Sequence, residues 1–256
     1  MSERERPVDF GPEDEPLRED VRMLGTLLGE VLVEQGGEAL LESVEEARRG
    51  SIRRREQGRP VAEVRPLLSG LGPAAALELV RAFSAYFSLT NLAEQVHRIR
   101  RRREHLMRTS QAQRGSLRAV VEALADGGYD ASGVRAVLDG VCVTPVLTAH
   151  PTQATRRTIL AKEQRIARLL VDRFERPRRT PMEEEALTGR LRSEVALIWQ
   201  TEEQVARRPS VADEVESTVF ALTDVVYRVV PAFHDAARDA LRARWGDGAD
   251  GGLEGP

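Results

Sequence analysis

The stretch VCVTPVLTAHPTQATRRTIL, residues 141–160, decides the predicted fold of this chain. It begins with an apolar, partly β-branched run that ends at His150, and it then carries the adjacent pair Arg156 and Arg157. A short run that is apolar on both faces is typical of a strand buried in a parallel sheet. Because proline cannot donate a ladder hydrogen bond but is tolerated at a strand start, we predict the strand at about residues 145–149.

His150 lies where this predicted strand ends and the next helix begins. Enzymes built from strands and helices place their chemistry at such junctions, because strand ends and helix starts converge on one pocket. An imidazole also titrates near neutral pH and can therefore pass a proton. The alternative is a histidine that only caps or packs a turn. His150 is the candidate catalytic residue.

Arg156 and Arg157 fall in the first turns of the helix that follows. Guanidinium groups hold phosphate or carboxylate with forked hydrogen bonds, and a helix N-terminus adds partial positive charge. The pair is therefore a candidate anion site. The alternative is two solvated surface arginines.

Helical periodicity dominates the rest of the chain. Apolar residues recur at spacings of three and four, while glycine and proline mark the boundaries. Besides a helix from residue 17 to the glycines at 36 and 37, the predicted helices cover about residues 38–57, 73–107, 116–125, 131–139, 152–174, 181–207 and 211–244. For the long helix from residue 73, the predicted apolar face comprises Leu77, Val80, Phe83, Phe87, Leu92 and Val96.

Two helix starts carry a sequence signature. Ser116 is a candidate N-cap, and Thr180, Pro181 and Glu183 supply an N-cap, a proline at the first position and an acid at the third. The predicted fold class is therefore mainly α, with many helices and one short strand. Since a lone buried strand leaves backbone groups unpaired, the chain is expected to be part of something larger.

Bulk composition indicates a soluble globular protein. The 256 residues are 41% hydrophobic and 31% charged, and the formal net charge of −3 gives no reason to expect nucleic acid or an anionic membrane as partner. Cys142 is the single cysteine, which fits a reducing compartment. The N-terminus lacks the apolar core of a signal peptide, and no apolar run approaches the roughly 18 residues that span a bilayer. The expected location is the cytoplasm.

The run HRIRRRREHLMR, residues 97–108, is strongly basic. It could contact RNA or DNA, but it lacks interleaved aromatic residues. A solvated, ion-paired helix face is the alternative. Common metal and nucleotide motifs do not occur in the sequence, and no metal ligands are assigned.

Three segments in order resemble the phosphoenolpyruvate carboxylase family. They are VLTAHPTQATRRT at 146–158, SAYFSLTNLAEQVHRIRRRR at 84–103 and LRSEVALIWQTEEQVARRPSVADEV at 191–215. The resemblance covers about residues 17–244, which leaves a flexible arm at 1–16 and a flexible tail at 245–256.

The resemblance implies a fold and a reaction. Family members are mostly helical chains around an eight-stranded parallel barrel with a TIM-like arrangement, and the run ending at His150 would be the first strand of that barrel, here incomplete. Bicarbonate and phosphoenolpyruvate would give oxaloacetate and phosphate, with Mg²⁺ or Mn²⁺ stabilising the enolate. By the family pattern His150 is the essential histidine, and Arg156 and Arg157 match a sugar-phosphate activator site of plant-type members. Full-length members are commonly homotetramers.

The sequence departs from the family in two places. Gln204, Val205 and Ala206 stand where the family usually has an arginine after its Thr-Asp-Glu triplet. The later glycine-rich loops, the metal-binding acids and the catalytic lysine are not in the sequence. We therefore expect an N-terminal fragment that is inactive alone. The alternatives are a non-catalytic helical interaction protein and, less favoured, a nucleic-acid-binding helical module.

Overall fold

The computed structural model describes residues 11–60, 62, 65–109, 111–144, 146, 157–201 and 210–251. These residues are mainly helical, as predicted. The helices are α1 (Glu15–Gly36), α2 (Glu38–Glu56), α3 (Arg65–Leu68), α4 (Pro73–Arg108), α5 (Leu117–Asp126), α6 (Ala131–Asp139), α7 (Arg157–Glu175), α8 (Pro181–Gln200), α9 (Val211–Phe220) and α10 (Tyr227–Trp245). None of these helices combines the length and the apolarity that crossing a bilayer requires.

The chain forms two compact units, each built from two separate stretches. The first unit comprises Met1–Arg100 and Thr155–Gln204, and the second comprises Arg101–Ala154 and Val205–Pro256. The predicted single helical region from 17 to 244 is thus divided after Arg100, near the C-terminal end of α4, and again before α7 and after α8.

In the first unit, α1 packs against α2 and α8, and α7 packs against α8. The helical spacing of apolar residues in α1 places Leu24, Leu28 and Val31 in the core. Gly37 separates α1 from α2 with φ +82°, a backbone conformation that favours glycine. The buried core of this unit contains Leu24, Leu27, Leu28, Val31, Leu32, Leu40, Ala82, Ala85, Leu89, Leu92, Ala93, Val96, Ile166, Leu170, Leu187, Leu191, Val195, Ile198 and Trp199.

The predicted apolar face of α4 is only partly correct. Leu92 and Val96 are buried, but Leu77, Val80 and Phe87 are more than half exposed. The buried face runs instead through Leu79, Ala82, Ala85, Leu89, Leu92, Ala93 and Val96. Small alanine side chains let a neighbouring helix approach closely, and a prediction that weighs large side chains overlooks them.

The second unit has a small core between α5, α6 and α10. Its buried members are Val121, Val134, Ala237, Ala240 and Leu241, with Trp245 packed against them. Ser116 caps α5 as predicted, since its hydroxyl accepts a 3.2 Å hydrogen bond from the Ala119 N–H. Through these residues α5 packs against both α6 and α10.

The region predicted as one helix at 211–244 is helical but irregular. A π-helical segment, Ala221–Val226, connects α9 to α10. Pro231 lies inside α10, where it cannot donate a backbone hydrogen bond. The helix predicted at 211–244 is therefore interrupted near its middle by the π-helical segment and is irregular again at Pro231.

The predicted short strand is not supported. No strand occurs among the residues that the structure describes, and Val146 has no regular secondary structure. Val143 and Val146 are 82% and 81% exposed, the opposite of a strand buried on both faces. A strand needs a partner to accept and donate its ladder hydrogen bonds. Residues 145 and 147–149 lie outside the described part of the chain.

The ends of the described chain contact their own units. Pro12–Asp14 form a helical turn ahead of α1, so helical structure begins before residue 17. At the other end Arg242 donates to Asp250 at 2.7 Å, and this ion pair lowers the pKa of the Asp250 carboxyl. Residues 246–251 of the predicted flexible tail thus form turns against α10. Residues 1–10 and 252–256 lie outside the described ranges.

The start signal at α8 is confirmed and supports a stability prediction. The Thr180 hydroxyl accepts from the Glu183 N–H, and the Glu183 carboxylate accepts from the Thr180 N–H at 2.8 Å. Thr180→Ala is expected to lower the free energy of unfolding by about 1 kcal/mol. Urea denaturation followed by helical circular dichroism measures it, with the exposed, non-capping Thr223→Ala as control.

The same capping pair predicts a pH dependence. Hydrogen bonds from Thr180 lower the pKa of the Glu183 carboxyl. A lowered folded-state pKa contributes stability above the unfolded pKa, and this contribution is lost as the pH falls. The deficit of Thr180→Ala should therefore shrink below about pH 4, the ordinary glutamate range. An equal deficit at pH 7 and pH 3 would contradict this.

Candidate functional site

The structure describes the flanks of the segment 141–160 rather than its centre. His150 and Arg156 lie outside the described residues, so their predicted roles stay predictions. Arg157 is the first residue of α7 and is exposed. Its predicted role in an anion site likewise stays a prediction.

An antiparallel hairpin of α7 and α8 positions this region. The two helices pack together through Ile166 and Leu170 on one side and Leu187, Leu191 and Val195 on the other. The start of α7 and the end of α8 consequently lie at the same end of the hairpin. In the sequence, His150 shortly precedes the start of α7, and the Trp-x-Thr-Glu-Glu segment is at the end of α8.

Arg81 of α4 holds the end of α8. Its Nη2 donates to the backbone carbonyl of Trp199 at 2.6 Å, and its guanidinium lies 4.8 Å from the centre of the Trp199 ring. The last carbonyls of a helix have no partner within the helix, and a cation there is favourable. Arg81 therefore fixes the point at which the chain leaves α8.

The start of α7 is also held against α4. Ile159 is buried, and Ser88 of α4 donates a hydrogen bond to the Glu163 carboxylate. Between the two helix ends lies a cavity of about 30 Å³, lined by Arg81, Ser84, Ala85, Ser88, Ile159, Ile198, Trp199 and Thr201. A cavity of this size holds a water molecule rather than a substrate. The side chains around this cavity thus position two signature segments, and the cavity itself is too small for a substrate.

A second polar cluster is buried around Asp20. Asp20 of α1 is 1% exposed and accepts from Arg100 of α4 at 2.6 Å and from Arg173 of α7 at 3.0 Å. Arg173 also lies 3.6 Å from Glu184 of α8. One carboxylate therefore connects three helices, and a fourth joins through Arg173.

His97 extends this cluster. Its Nδ1 lies 3.2 Å from Nη1 of Arg100, and since arginine can only donate, Nδ1 accepts and the ring proton is on Nε2. That Nε2 is buried without a hydrogen-bond partner, and Oδ1 of Asp14 lies 3.5 Å from it. Arg100 therefore donates through one nitrogen to Asp20 and through another to His97.

The Asp20 cluster lies at the far end of the hairpin from Trp199. Arg173 is 13 to 16 residues beyond residues 157–160, which is about 20–24 Å along α7. At that distance the cluster cannot contact a substrate beside residues 157–160. It holds the helices together, and sequence reasoning missed it. The signal was present: Asp20 and Arg100 both continue the spacing of three and four residues that the apolar positions of their helices follow.

The basic run 97–108 is less solvated than predicted. Arg100 is 8% exposed and paired with Asp20, while Arg101 lies 3.0 Å from Glu104. The correction has a physical reason, since a buried arginine requires a counter-ion that only the fold supplies. The ion pairs expected of this run are present, but part of the run belongs to the interior.

The described residues do not assemble a metal site. Over that part of the chain, no three His, Cys, Asp or Glu side chains converge as ligands. The Asp20 carboxylate is already neutralised by two arginines, Arg100 and Arg173.

Comparison with known proteins now identifies the class. A family model of phosphoenolpyruvate carboxylase matches residues 17–250, so the chain belongs to that family. A phosphoenolpyruvate carboxylase of Xanthomonas campestris is 41% identical over 96% of this chain. Those of Ralstonia nicotianae and Mycobacterium leprae are 40% and 35% identical over 86% and 91% of it. The chain spans about a quarter of these relatives, namely 27%, 22% and 25% of their lengths.

Proposed function

We propose that this chain provides the N-terminal part of a phosphoenolpyruvate carboxylase. The observation that carries the proposal is the family match over residues 17–250. A second observation supports it: α4 holds both the start of α7 and the end of α8. The signature segments that contain His150 and Trp199 adjoin these two helix ends in the sequence. The function would be anaplerotic supply of oxaloacetate in the cytoplasm.

The proposed reaction joins phosphoenolpyruvate and bicarbonate. A bicarbonate oxygen attacks phosphorus, and the bond from phosphorus to the enol oxygen breaks to give carboxyphosphate and the enolate of pyruvate. Carboxyphosphate releases carbon dioxide and phosphate, and the enolate carbon then bonds to carbon dioxide. His150 would transfer a proton during carboxyphosphate breakdown, a task that suits an imidazole. Arg156 and Arg157 would hold an anionic activator.

The family's cation, Mg²⁺ or Mn²⁺, supplies charge stabilisation to the enolate when it is bound. Within the described ranges the side chains do not fit it, since no three potential ligands converge. The ligands would come from the polypeptide that the family has beyond the matched region, and so would the contacts of a homotetramer. Residues 145–149 would pair as the first barrel strand with strands from that same polypeptide.

A chimera tests the proposal. This chain would replace the matched 27% of the Xanthomonas campestris relative, and oxaloacetate formation from phosphoenolpyruvate and bicarbonate would be measured. We expect activity from the chimera and none from the isolated chain. A lone histidine supplies only about 10²- to 10⁴-fold of the acceleration that such a reaction needs.

The unmodified relative and a relative lacking the matched part are the controls. A well-folded chimera without activity would refute the proposed function. Oxaloacetate formation by the isolated chain would instead refute the proposal that the chain depends on further polypeptide.

A further inference from the structure

The second unit exposes a long apolar stripe on α9, the π-helical segment and α10. We call it the α9–α10 stripe, and its members are Val211, Val215, Val219, Leu222, Val225, Val226, Val229 and Phe233. All of them are between 37% and 77% exposed. Their spacings of one, three and four residues follow a helical repeat, so the exposed side chains are a pattern rather than isolated positions.

The stripe continues into the core of the second unit. Four residues after Phe233 comes Ala237, which is 3% exposed, and Leu241 follows after four more at 0%. There α5 packs against α10 and covers the apolar residues. One apolar repeat is therefore covered by α5 at its C-terminal end and uncovered along the preceding 23 residues.

The second unit cannot cover this stripe from its own described residues. Its buried core meets α10 only at Ala237, Ala240 and Leu241, beyond the C-terminal end of the stripe, and the stripe residues themselves are exposed. Soluble proteins that act alone rarely expose a contiguous apolar patch of this kind, and a larger patch marks an interaction site. The polar side of the same helices carries an ion pair, Asp224 with Arg228 at 2.9 Å, as expected of a solvated face.

We propose that the α9–α10 stripe is the docking surface for the remaining polypeptide of a phosphoenolpyruvate carboxylase. This inference rests on the proposed function. The relatives have almost three quarters of their length outside the matched region, so a family-specific partner of sufficient size exists. The surface of this polypeptide that meets the stripe should be apolar. It would cover residues 211–233 in the way that α5 covers the C-terminal part of α10.

The test is co-production of this chain, carrying an affinity tag, with the part of the Xanthomonas campestris relative that lies outside the match. Producing both in one cell lets the partner fold in the presence of its docking surface. We expect the two to purify together in equal amounts. The double variant Val219→Lys/Leu222→Lys should reduce the recovered partner by about tenfold or more, because a charge buried in an apolar interface is costly.

Asp235→Lys is the matched control. It raises the net charge by two, as the double variant does, but lies on the polar side of α10 and should leave recovery unchanged. The single variant Val215→Lys provides a second, milder test, and circular dichroism confirms that each variant keeps its helix. Because these positions are exposed in the chain, lysine there should not unfold it.

Other outcomes overturn the inference. Failure of the unmodified chain to retain the partner would do so, as would equal retention by the double variant and Asp235→Lys. A dimer of this chain that Val219→Lys/Leu222→Lys abolishes would assign the stripe to a second copy instead. Retention through the stripe together with an inactive chimera would refute the proposed function and leave the docking surface standing.

Discussion

His150→Ala is expected to lower the turnover number for oxaloacetate formation in the chimera by about 10²- to 10⁴-fold, the usual worth of a positioned acid–base residue. The KM for phosphoenolpyruvate should change little, because the proposed role is proton transfer and not substrate binding. If His150 acts after carboxyphosphate has formed, phosphate release that depends on bicarbonate should persist and the enolate should leave as pyruvate. Parallel assays of oxaloacetate, pyruvate and phosphate separate these products.

His234→Ala is the matched control for that measurement. His234 is a half-buried histidine on α10 beside Phe233, and no role in the reaction is proposed for it. Its replacement should leave turnover within about twofold, since substitutions away from buried networks have small effects. If His150→Ala loses no more activity than His234→Ala, the turn-capping interpretation of His150 is correct.

Asp20→Asn is expected to lower the free energy of unfolding by about 3–5 kcal/mol, because it removes the counter-ion of a buried arginine. Asn keeps the shape of the side chain, so the loss reports charge rather than packing. Arg100 is 8% exposed, and Asp20 lies 2.6 Å from its guanidinium. Among the ion pairs of the described residues, Arg100 has no second carboxylate that could replace Asp20. Urea denaturation of the chain, followed by helical circular dichroism, gives the difference.

Asp224→Asn is the comparison variant, because it removes an ion pair of nearly equal length that is exposed instead of buried. Asp224 accepts from Arg228 at 2.9 Å on the exposed side of the helix, and such a pair contributes less than about 1 kcal/mol. Replacing Arg100 by Met as well as Asp20 by Asn should recover part of the lost stability, since no unpaired charge then stays buried. Equal losses for the two single variants would show that burial does not determine the strength of the Asp20 pairs.

Local signals in the sequence predicted much of the helical architecture. The bounds of α2 and α6 and the caps Ser116 and Thr180 follow from short-range hydrogen bonding and backbone preference, which act within one turn. The buried face of α4 did not follow, because three alanines on it are inconspicuous beside the exposed Leu77 and Phe87. Which of two candidate faces is buried depends on partner helices that are distant in sequence.

The polar clusters were beyond sequence reasoning for a similar reason. The pair Asp20 and Arg100 joins residues 80 positions apart, and Arg81 meets Trp199 across 118 positions. No local pattern encodes such contacts, although a charged residue on an apolar stripe signals that a distant partner exists. The predicted strand lacked support because pairing requires a second strand, and none occurs within the described ranges.

The two tryptophans of the chain fall in different units, Trp199 against Arg81 in the first and Trp245 beside the small core of the second. Each unit therefore contains one tryptophan, whose emission can be excited selectively over that of the three tyrosines. Replacing Trp245 by Phe leaves emission that reports the first unit alone, and replacing Trp199 by Phe leaves emission from the second. Unfolding of the two units can thus be followed separately in one unlabelled molecule, and so can the response of the second to a polypeptide that covers it.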